Sequence, residues 1–331
     1  MLKFIIQRFF GMIVTMFIVS IMIFVIMELP PGDYAERYAF RKFSGSGAQV
    51  TAADLRNLRH EFGLDRPAWE RYFSWIGGIL TRFDFGPAFA FETSVNQVIG
   101  QRVWLTLALL FSTLLITYLV AIPIGIYAAV RRGSVGDYSL TVISYLGLAL
   151  PNFLLALILL YVSVTLLGSS VGGLFSPEYQ DAPWSMAKFV DLLKHLIVPA
   201  VVLAWSATAF QLQTMRATML DEINKLAVTA ARARGLPEWK LLLKYPARLA
   251  INPVVSTISF DLNRIFSDLP IVALVLGLPE LGELLIKSYL DLDMFVAGAI
   301  LLLITFMIVF VNFLSDILLA FLDPRVKLEG G

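Results

Sequence analysis

The chain has no cysteine. Disulfides, thiolate metal sites and cysteine nucleophiles are therefore excluded. Histidine is nearly absent: His60 and His195 are the only two, far apart in sequence. That argues against a histidine-built metal site or a catalytic triad, although one histidine acting alone stays open. Charge is scarce as well. Asp, Glu, Lys and Arg make up 15% of the residues, where soluble domains carry about 25%. The net charge is +1, with no basic tail or arm to suggest nucleic acid. Hydrophobic residues take up the difference at 58%, which places the chain among polytopic membrane proteins.

Familiar chemical motifs are missing too. The one glycine-rich string, Gly45–Gln49, lacks the spacing and the Lys-Ser/Thr of a nucleotide loop. There is no metal-ligand motif, nucleophile elbow, low-complexity segment or convincing internal repeat. Lys3 and Arg8 precede an apolar stretch that runs to about Leu29. This is longer than the roughly 7–15 residues of a signal-peptide core, and no small-residue cleavage site follows. It reads as a signal anchor that stays in the membrane.

A bilayer core of about 30 Å needs roughly 20 apolar residues per helix. Six segments qualify: Phe9–Leu29, Trp104–Val130, Leu140–Leu167, Leu196–Leu212, Ile251–Leu276 and Phe295–Leu322. Cytoplasmic loops carry an excess of Lys and Arg. With the N-terminus inside, the cytoplasmic pieces are 1–8, 131–138, 215–250 and the tail from Asp323, and they hold most of the short-loop cations. The opposite loop 278–293 carries Glu280, Glu283, Asp291 and Asp293 against Lys287. Both ends of the chain are then expected inside. The domain reading is 1–29 for the N-terminus and first span, and 30–103 for a large outer loop with short helices. Residues 104–322 form the membrane core, containing the 215–250 loop, and 323–331 the tail. Within the outer loop, 52–61 is helix-like. Residues 68–82 carry Trp69, Tyr72, Trp75 and Ile76 at helical spacing, aromatics expected at the membrane interface or the bundle rim.

Two polar features stand out. The first is the island 215–250, with the string Ala227–Trp239. A helix over 220–234 is expected, acids Asp221 and Glu222 near its start and Arg232 and Arg234 near its end, as the helix dipole favours. Gly235 then suits the C′ position and Pro237 the first position of a second helix. Ala227, Ala230, Ala231 and Ala233 predict a surface of little bulk that a partner can approach closely. An amphipathic helix lying on anionic lipid is the plainer alternative for 238–248. The second feature is Asp261, Arg264 and Asp268 in the fifth span. Spacings of three and four put them on one helix face. They read as an arginine neutralised by two acids, either on a solute pathway or in a structural network. Prolines at 123, 151, 253 and 270 predict kinks in the spans.

These residues resemble the coupling loop of binding-protein-dependent ABC importer permeases of the oligopeptide/dipeptide/nickel group. That loop reads roughly T-A-R-A-K-G-L. Ala231, Arg232, Ala233, Arg234, Gly235 and Leu236 stand in its register, and Pro253 follows Gly235 by the expected eighteen residues. The resemblance covers nearly the whole chain. It includes Pro30–Tyr34, Phe62–Pro67, Phe83–Phe89, Ser94–Ile99, Ala128–Asp137, Ala149–Phe153 and Asp323-Pro324-Arg325. Departures are Ala227 for a tyrosine, Ala230 for a threonine and Leu249 for an asparagine. Asp268 and Ala273 also differ, and Leu278-Pro279-Glu280-Leu281-Gly282 stands in place of W-P-G-L-G.

The resemblance implies an all-α polytopic membrane protein of the type I ABC importer permease fold. It has six transmembrane helices and a large periplasmic loop between the first two, and corresponds to the first, B-type, permease subunit. It implies a second homologous permease, two ATP-binding subunits and a periplasmic substrate-binding protein as partners, in a bacterial inner membrane. No cofactor is bound by the chain itself; ATP and Mg belong to the ATP-binding subunits, so the chain is not expected to be an enzyme. Residues Ala227, Ala230–Pro237 form the expected ATPase-coupling loop. Oligopeptides are the expected solute, with oligosaccharides, opines or metal chelates as alternatives. A stand-alone secondary transporter relaying protons or ions through Asp261, Arg264 and Asp268 is the rival from another class.

Overall fold

The computed structural model describes residues 2–29, 32–44, 51–166 and 172–322. The string Gly45–Gln49, Pro30 and Pro31, Leu167 at the end of the third expected span, and the tail with Asp323-Pro324-Arg325 lie outside the described residues. In chain order the elements are α1 (Leu2–Glu28), α2 (Tyr34–Ser44), α3 (Ala52–Glu61), α4 (Ala68–Arg82), and a hairpin of β1 (Pro87–Ala88) and β2 (Thr93–Ser94). There follow α5 (Val95–Val130), α6 (Val135–Ala149), α7 (Asn152–Leu166) and α8 (Met186–Ile223). The last six are α9 (Leu226–Ala233), α10 (Glu238–Lys244), α11 (Pro246–Ser256), α12 (Ile258–Leu276), α13 (Leu281–Leu290) and α14 (Met294–Leu322).

Among the described residues, four helices are long and apolar enough to cross a membrane: Lys3–Glu28, Val95–Val130, Met186–Ile223 and Met294–Ala320. The count reaches six when each of two broken pairs, α6 with α7 and α12 with α13, is taken as one span. The third expected span is thus not one straight helix. Pro151 disfavours the helical region for the residue before it, so Leu150 is extended at φ −88° and ψ 121°. The chain then turns by 102° into α7. The fourth span is longer than the apolar run suggested. Ser185 caps it by accepting from the Lys188 amide at 3.2 Å, and the helix continues through polar residues to Ile223. The fifth splits at Thr257 into α11 and α12, four residues after Pro253. Gly277 ends α12 in the left-handed region at φ 65°, which glycine adopts without strain. The expected loop 278–293 contains α13, because Glu280 caps it by accepting from the Gly282 and Glu283 amides at 2.6 and 2.7 Å. The departure at Glu280 is therefore a helix cap.

The chain divides into two compact units. The smaller comprises Gly11–Thr106 and Pro279–Val309. The expected helix at 52–61 is α3, started by a capping box between Thr51 and Asp54. Arg59 ties it to α2 through Asp33 at 2.6 Å and Glu36 at 2.5 Å. The aromatic stretch at 68–82 is α4. Tyr72 and Trp75 are buried against Phe24 of α1, with the Tyr72 hydroxyl 2.9 Å from Ser20 Oγ, whereas Trp69 is exposed. A second cluster packs Ala88, Val95, Val98 and Ile99 against Leu281, Leu284, Val296 and Ile300.

The larger unit comprises Met1–Phe10, Leu107–Leu278 and Phe310–Gly331. Here α8 touches α6, α7, α11 and α12. Its neighbours come close because they carry glycine where the helices meet. A Cβ on Gly125 would lie 2.7 Å from Met215 Cβ and 3.0 Å from the Leu212 carbonyl; one on Gly147 would lie 2.8 Å from Ala209 Cβ. Small residues at such crossings are what lets helices pack in lipid. Gly125→Val should therefore cost about 1–3 kcal/mol through overpacking and lower the melting temperature of the purified protein. Gly100→Ala, where nothing lies within 4 Å, should leave it unchanged or slightly higher. A Gly125→Val protein that melts with the wild type would show that α5 and α8 are not held this closely.

Candidate functional site

The polar island forms two short helices fastened to the end of α8. Lys225 precedes α9, its carbonyl accepting from the Val228 and Thr229 amides at 2.9 and 3.2 Å. The expected single helix over 220–234 is broken here, at residues 224–225, between α8 and α9. Gly235 takes φ +77°, the left-handed value that ends a helix without a Cβ penalty. Pro237 stands at the N-cap of α10, one place earlier than expected, and its carbonyl accepts from the Leu241 amide at 3.0 Å. Arg232 closes the corner on Glu238 with two hydrogen bonds, at 2.6 and 3.1 Å. That hydrogen bonding holds the Glu238 carboxyl below its usual range and raises Arg232. The corner contact is thus intact at neutral pH, and is lost as pH falls through the depressed Glu238 value.

One part of the sequence expectation is corrected. Ala231 is 3% exposed and, with Val228, faces inward onto Met215, Met219, Leu241 and Val254. It belongs to the core and offers no docking surface. Residues three apart share a helix face, so Val228 and Ala231 fall on the inner side while Ala227, Ala230 and Ala233 fall on the outer one. The structure leaves those three exposed, together with Arg232, Arg234, Gly235 and Pro237; Leu236 is half-buried against the cluster. Two bulky apolar side chains project beside them, Leu226 at 87% exposure and Trp239 at 63%. Sequence reasoning passed over both. The signal was present, since both lie off the inner stripe of their helices, Leu226 nearly opposite Val228 and Ala231.

The three charged residues of the fifth span sit on α12, and their closest polar contacts are to other helices rather than to one another. Asp261 is buried and accepts from the Tyr118 hydroxyl at 2.6 Å and Gln211 Nε2 at 2.5 Å. The Gln211 amide also donates to Thr257 Oγ1 at 2.8 Å. Asp268 accepts from Asn152 Nδ2 at 2.8 Å. Arg264 reaches the Ser206 carbonyl at 3.4 Å, and no ion pair to it within 4.0 Å occurs among the described residues. Each acid is thus served by neutral donors from other helices. A helix-face argument places the three together on α12 but says nothing of Tyr118, Gln211 or Asn152, which come from α5, α8 and α7.

A strong pair of charges lies elsewhere. Arg216 of α8 binds Asp137 of α6 through both carboxylate oxygens, at 2.6 and 2.9 Å, and the Gly133 amide donates to the same carboxylate at 2.9 Å. Asp137 is buried, and Ser134 caps its helix. The pair fixes the 131–137 turn to α8, seven residues before α8 ends.

Comparison with known proteins gives this geometry a family. Residues 121–328 match the family described as the binding-protein-dependent transport system inner membrane component, and residues 1–113 match the N-terminal part of such membrane components. The chain belongs to this family of ABC importer permeases. It is thus a multi-pass inner-membrane component, of a class that is not itself enzymatic. It is 34% identical over 310 residues to a putative peptide permease protein of Brucella ovis, covering 93% of each chain. It is 31% identical over 329 residues to the oligopeptide transport system permease protein AppB of Bacillus subtilis, covering 99% of this chain and 100% of that one. It is 27% identical over 331 residues to the nickel import system permease protein NikB of Staphylococcus aureus, covering 100% and 93%.

The geometry separates the two sets of charged residues by their effect on stability. Asp137→Ala strands Arg216 beside a buried position and should cost about 3–5 kcal/mol. Arg264→Ala removes one long hydrogen bond and should cost about 1 kcal/mol or less. Thermal unfolding of the two purified variants decides it; equal losses would mean that Arg264 carries an ion pair after all.

Proposed function

We propose that this chain is the first permease subunit of a peptide importer, coupled through α9 and α10 to a cytoplasmic ATP-binding subunit. The carrying observation is the two-sided construction of α9. Its inner side, Val228 and Ala231, is locked to α8, α10 and α11. Its outer side presents Ala227, Ala230 and Ala233 with almost no bulk, flanked by Leu226, Arg234 and Trp239. A partner seated on that outer side would move α9 as part of the α8–α11 packing, which is what coupling requires.

On this reading the island, the 131–138 turn and the N- and C-terminal segments are cytoplasmic, and residues 30–103 lie outside. Two ATP-binding subunits bind below, and ATP and Mg belong to them. A second, homologous permease completes the translocation path, and a periplasmic substrate-binding protein delivers the solute. Asp261, Arg264 and Asp268 stand beside that path or within its supporting network. The rival, a stand-alone secondary transporter, needs those three as one relay, and the separate neutral partners of Asp261 and Asp268 count against it. Peptides are the solute class supported by the relatives named for peptide and oligopeptide transport. The relative named for nickel import supports metal chelates as a second reading.

Ala230→Trp tests the docking. The variant should insert and melt like the wild type, because Ala230 faces out. Its complex should lose most uptake and the stimulation of ATP hydrolysis by the binding protein. Wild-type coupled ATPase activity in the Ala230→Trp complex would overturn the assignment of α9 as the docking helix.

A further inference from the structure

The helix α4 has more apolar surface than its packing uses. Its inner stripe, Tyr72, Trp75 and Ile79, is buried against α1 and α14. A second stripe lies beside the first: Trp69, Phe73, Ile76 and Leu80, at the spacing of one helix side. Ile76 is half-buried, but Trp69, Phe73 and Leu80 are 64%, 62% and 74% exposed. The opposite side carries Glu70, Ser74 and Thr81, all exposed. The two apolar stripes are contiguous, so α4 has one broad apolar side of which the chain covers only part.

Contacts to α1 give the depth at which this side sits. α1 carries no charge from Phe9 to Met27. That is about 28 Å of helix at 1.5 Å per residue, which matches a hydrocarbon core of about 30 Å. Glu28 therefore marks one edge of the core, and Arg71 of α4 meets it there at 2.5 Å. The other contacts lie deeper. Phe24, about 6 Å further in along α1, has the rings of Tyr72 and Trp75 at 5.4 and 6.3 Å. The Tyr72 hydroxyl lies 2.9 Å from Ser20 Oγ, about 12 Å in. On α14, Leu302 joins the same cluster, about 12 Å past the start of the helix at Met294. An amphipathic helix resting in the interface buries its apolar side about 5–10 Å deep, and α4 falls in that range. At the same level Ile21, Met22 and Val25 of α1 are exposed as well, so one apolar medium serves both helices.

We propose that α4 is a membrane element rather than a helix of the aqueous loop. Trp69, Phe73 and Leu80 insert among the acyl chains of the adjacent leaflet, and Glu70, Ser74 and Thr81 turn toward headgroups and water. Tryptophan is favoured at that boundary because its ring is amphipathic. The segment 30–103 is then pinned to the bilayer near its middle. The proposal needs only that α1 crosses the membrane; the importer reading adds that the leaflet is the periplasmic one.

Because the chain has no cysteine, single spin labels can be attached after Phe73→Cys, Leu80→Cys or Ser74→Cys. The test uses the complex assembled with cysteine-free partners in phosphatidylcholine nanodiscs. Collision of each label with oxygen, which concentrates in acyl chains, is compared with collision with a water-soluble nickel chelate. Oxygen should dominate at positions 73 and 80, at a depth of about 5–10 Å, and the nickel chelate at position 74. Nickel dominance at 73 and 80 overturns the proposal by placing that side in water. Low collision with both reagents, before or after the binding protein is added, overturns it as well, since a protein surface would then cover the stripe. Trp69 gives a second measure without a label. Wild-type fluorescence minus that of Trp69→Phe isolates its signal, which phosphatidylcholine brominated on its acyl chains should quench; an unquenched difference overturns the insertion of Trp69. Binding-protein-stimulated ATP hydrolysis, read in the same discs, reports on the importer assignment separately.

Discussion

The larger unit depends on how closely other helices approach α8. Lipid tails are as apolar as leucine, so burial alone gives little force between membrane helices; close van der Waals contact has to supply it. Gly125 on α5 and Gly147 on α6 provide that closeness, against Leu212, Met215 and Ala209 of α8. Ala204, Ala207 and Ala209 keep α8 itself slim where it is buried. With the helices this near, single polar side chains suffice to bridge them. Gln211 reaches Asp261, Arg216 reaches Asp137, and Thr218 Oγ1 donates to the Ala250 carbonyl at 2.9 Å. The polar contacts follow from the approach, which the small residues permit.

That order of causes accounts for what the sequence disclosed. Composition and long apolar runs disclose a polytopic helical protein, and the family register locates the island. The spans are less legible where proline and polar residues act against the apolar pattern. Leu150 before Pro151 breaks a run that hydropathy alone joins. In the other direction, α8 extends well past its apolar stretch because a serine cap and tertiary packing sustain the added turns. Hydropathy reads transfer into lipid, and helix ends are set by backbone hydrogen bonding.

The sites divide in the same way. Positions on one helix are readable by spacing, so Asp261, Arg264 and Asp268 were found together. Their partners are not, because Tyr118, Asn152 and Gln211 arrive from three other helices whose rotation spacing does not fix. An arginine between two acids reads most simply as neutralised by them. In the folded chain the two acids instead accept from neutral amide and hydroxyl donors, while the buried Asp137 pairs with Arg216 across 79 residues of sequence. The direction of Ala231 was missed for a related reason. Alanine has too little surface to declare a side, and only the neighbouring Val228 marks which face of α9 turns inward.

On the proposed coupling role, the same inward face would make α9 a lever rather than a flap. A flap would need a hinge at each end and a loose underside. Here Gly235 fixes one end in a left-handed turn and the Arg232–Glu238 contact braces it. Val228 and Ala231 close the underside against Met215 and Met219 of α8 and Val254 of α11. A force on the exposed alanines is then borne by close-packed side chains, which transmit displacement because the interior has few voids to absorb it. From α8 it reaches α6 through the Asp137–Arg216 pair and α12 through Gln211 and Asp261. If a partner docks there as proposed, the residues that hold the larger unit together are also the ones that would carry motion through it, so a change that loosens this packing would weaken that coupling before it unfolds the protein.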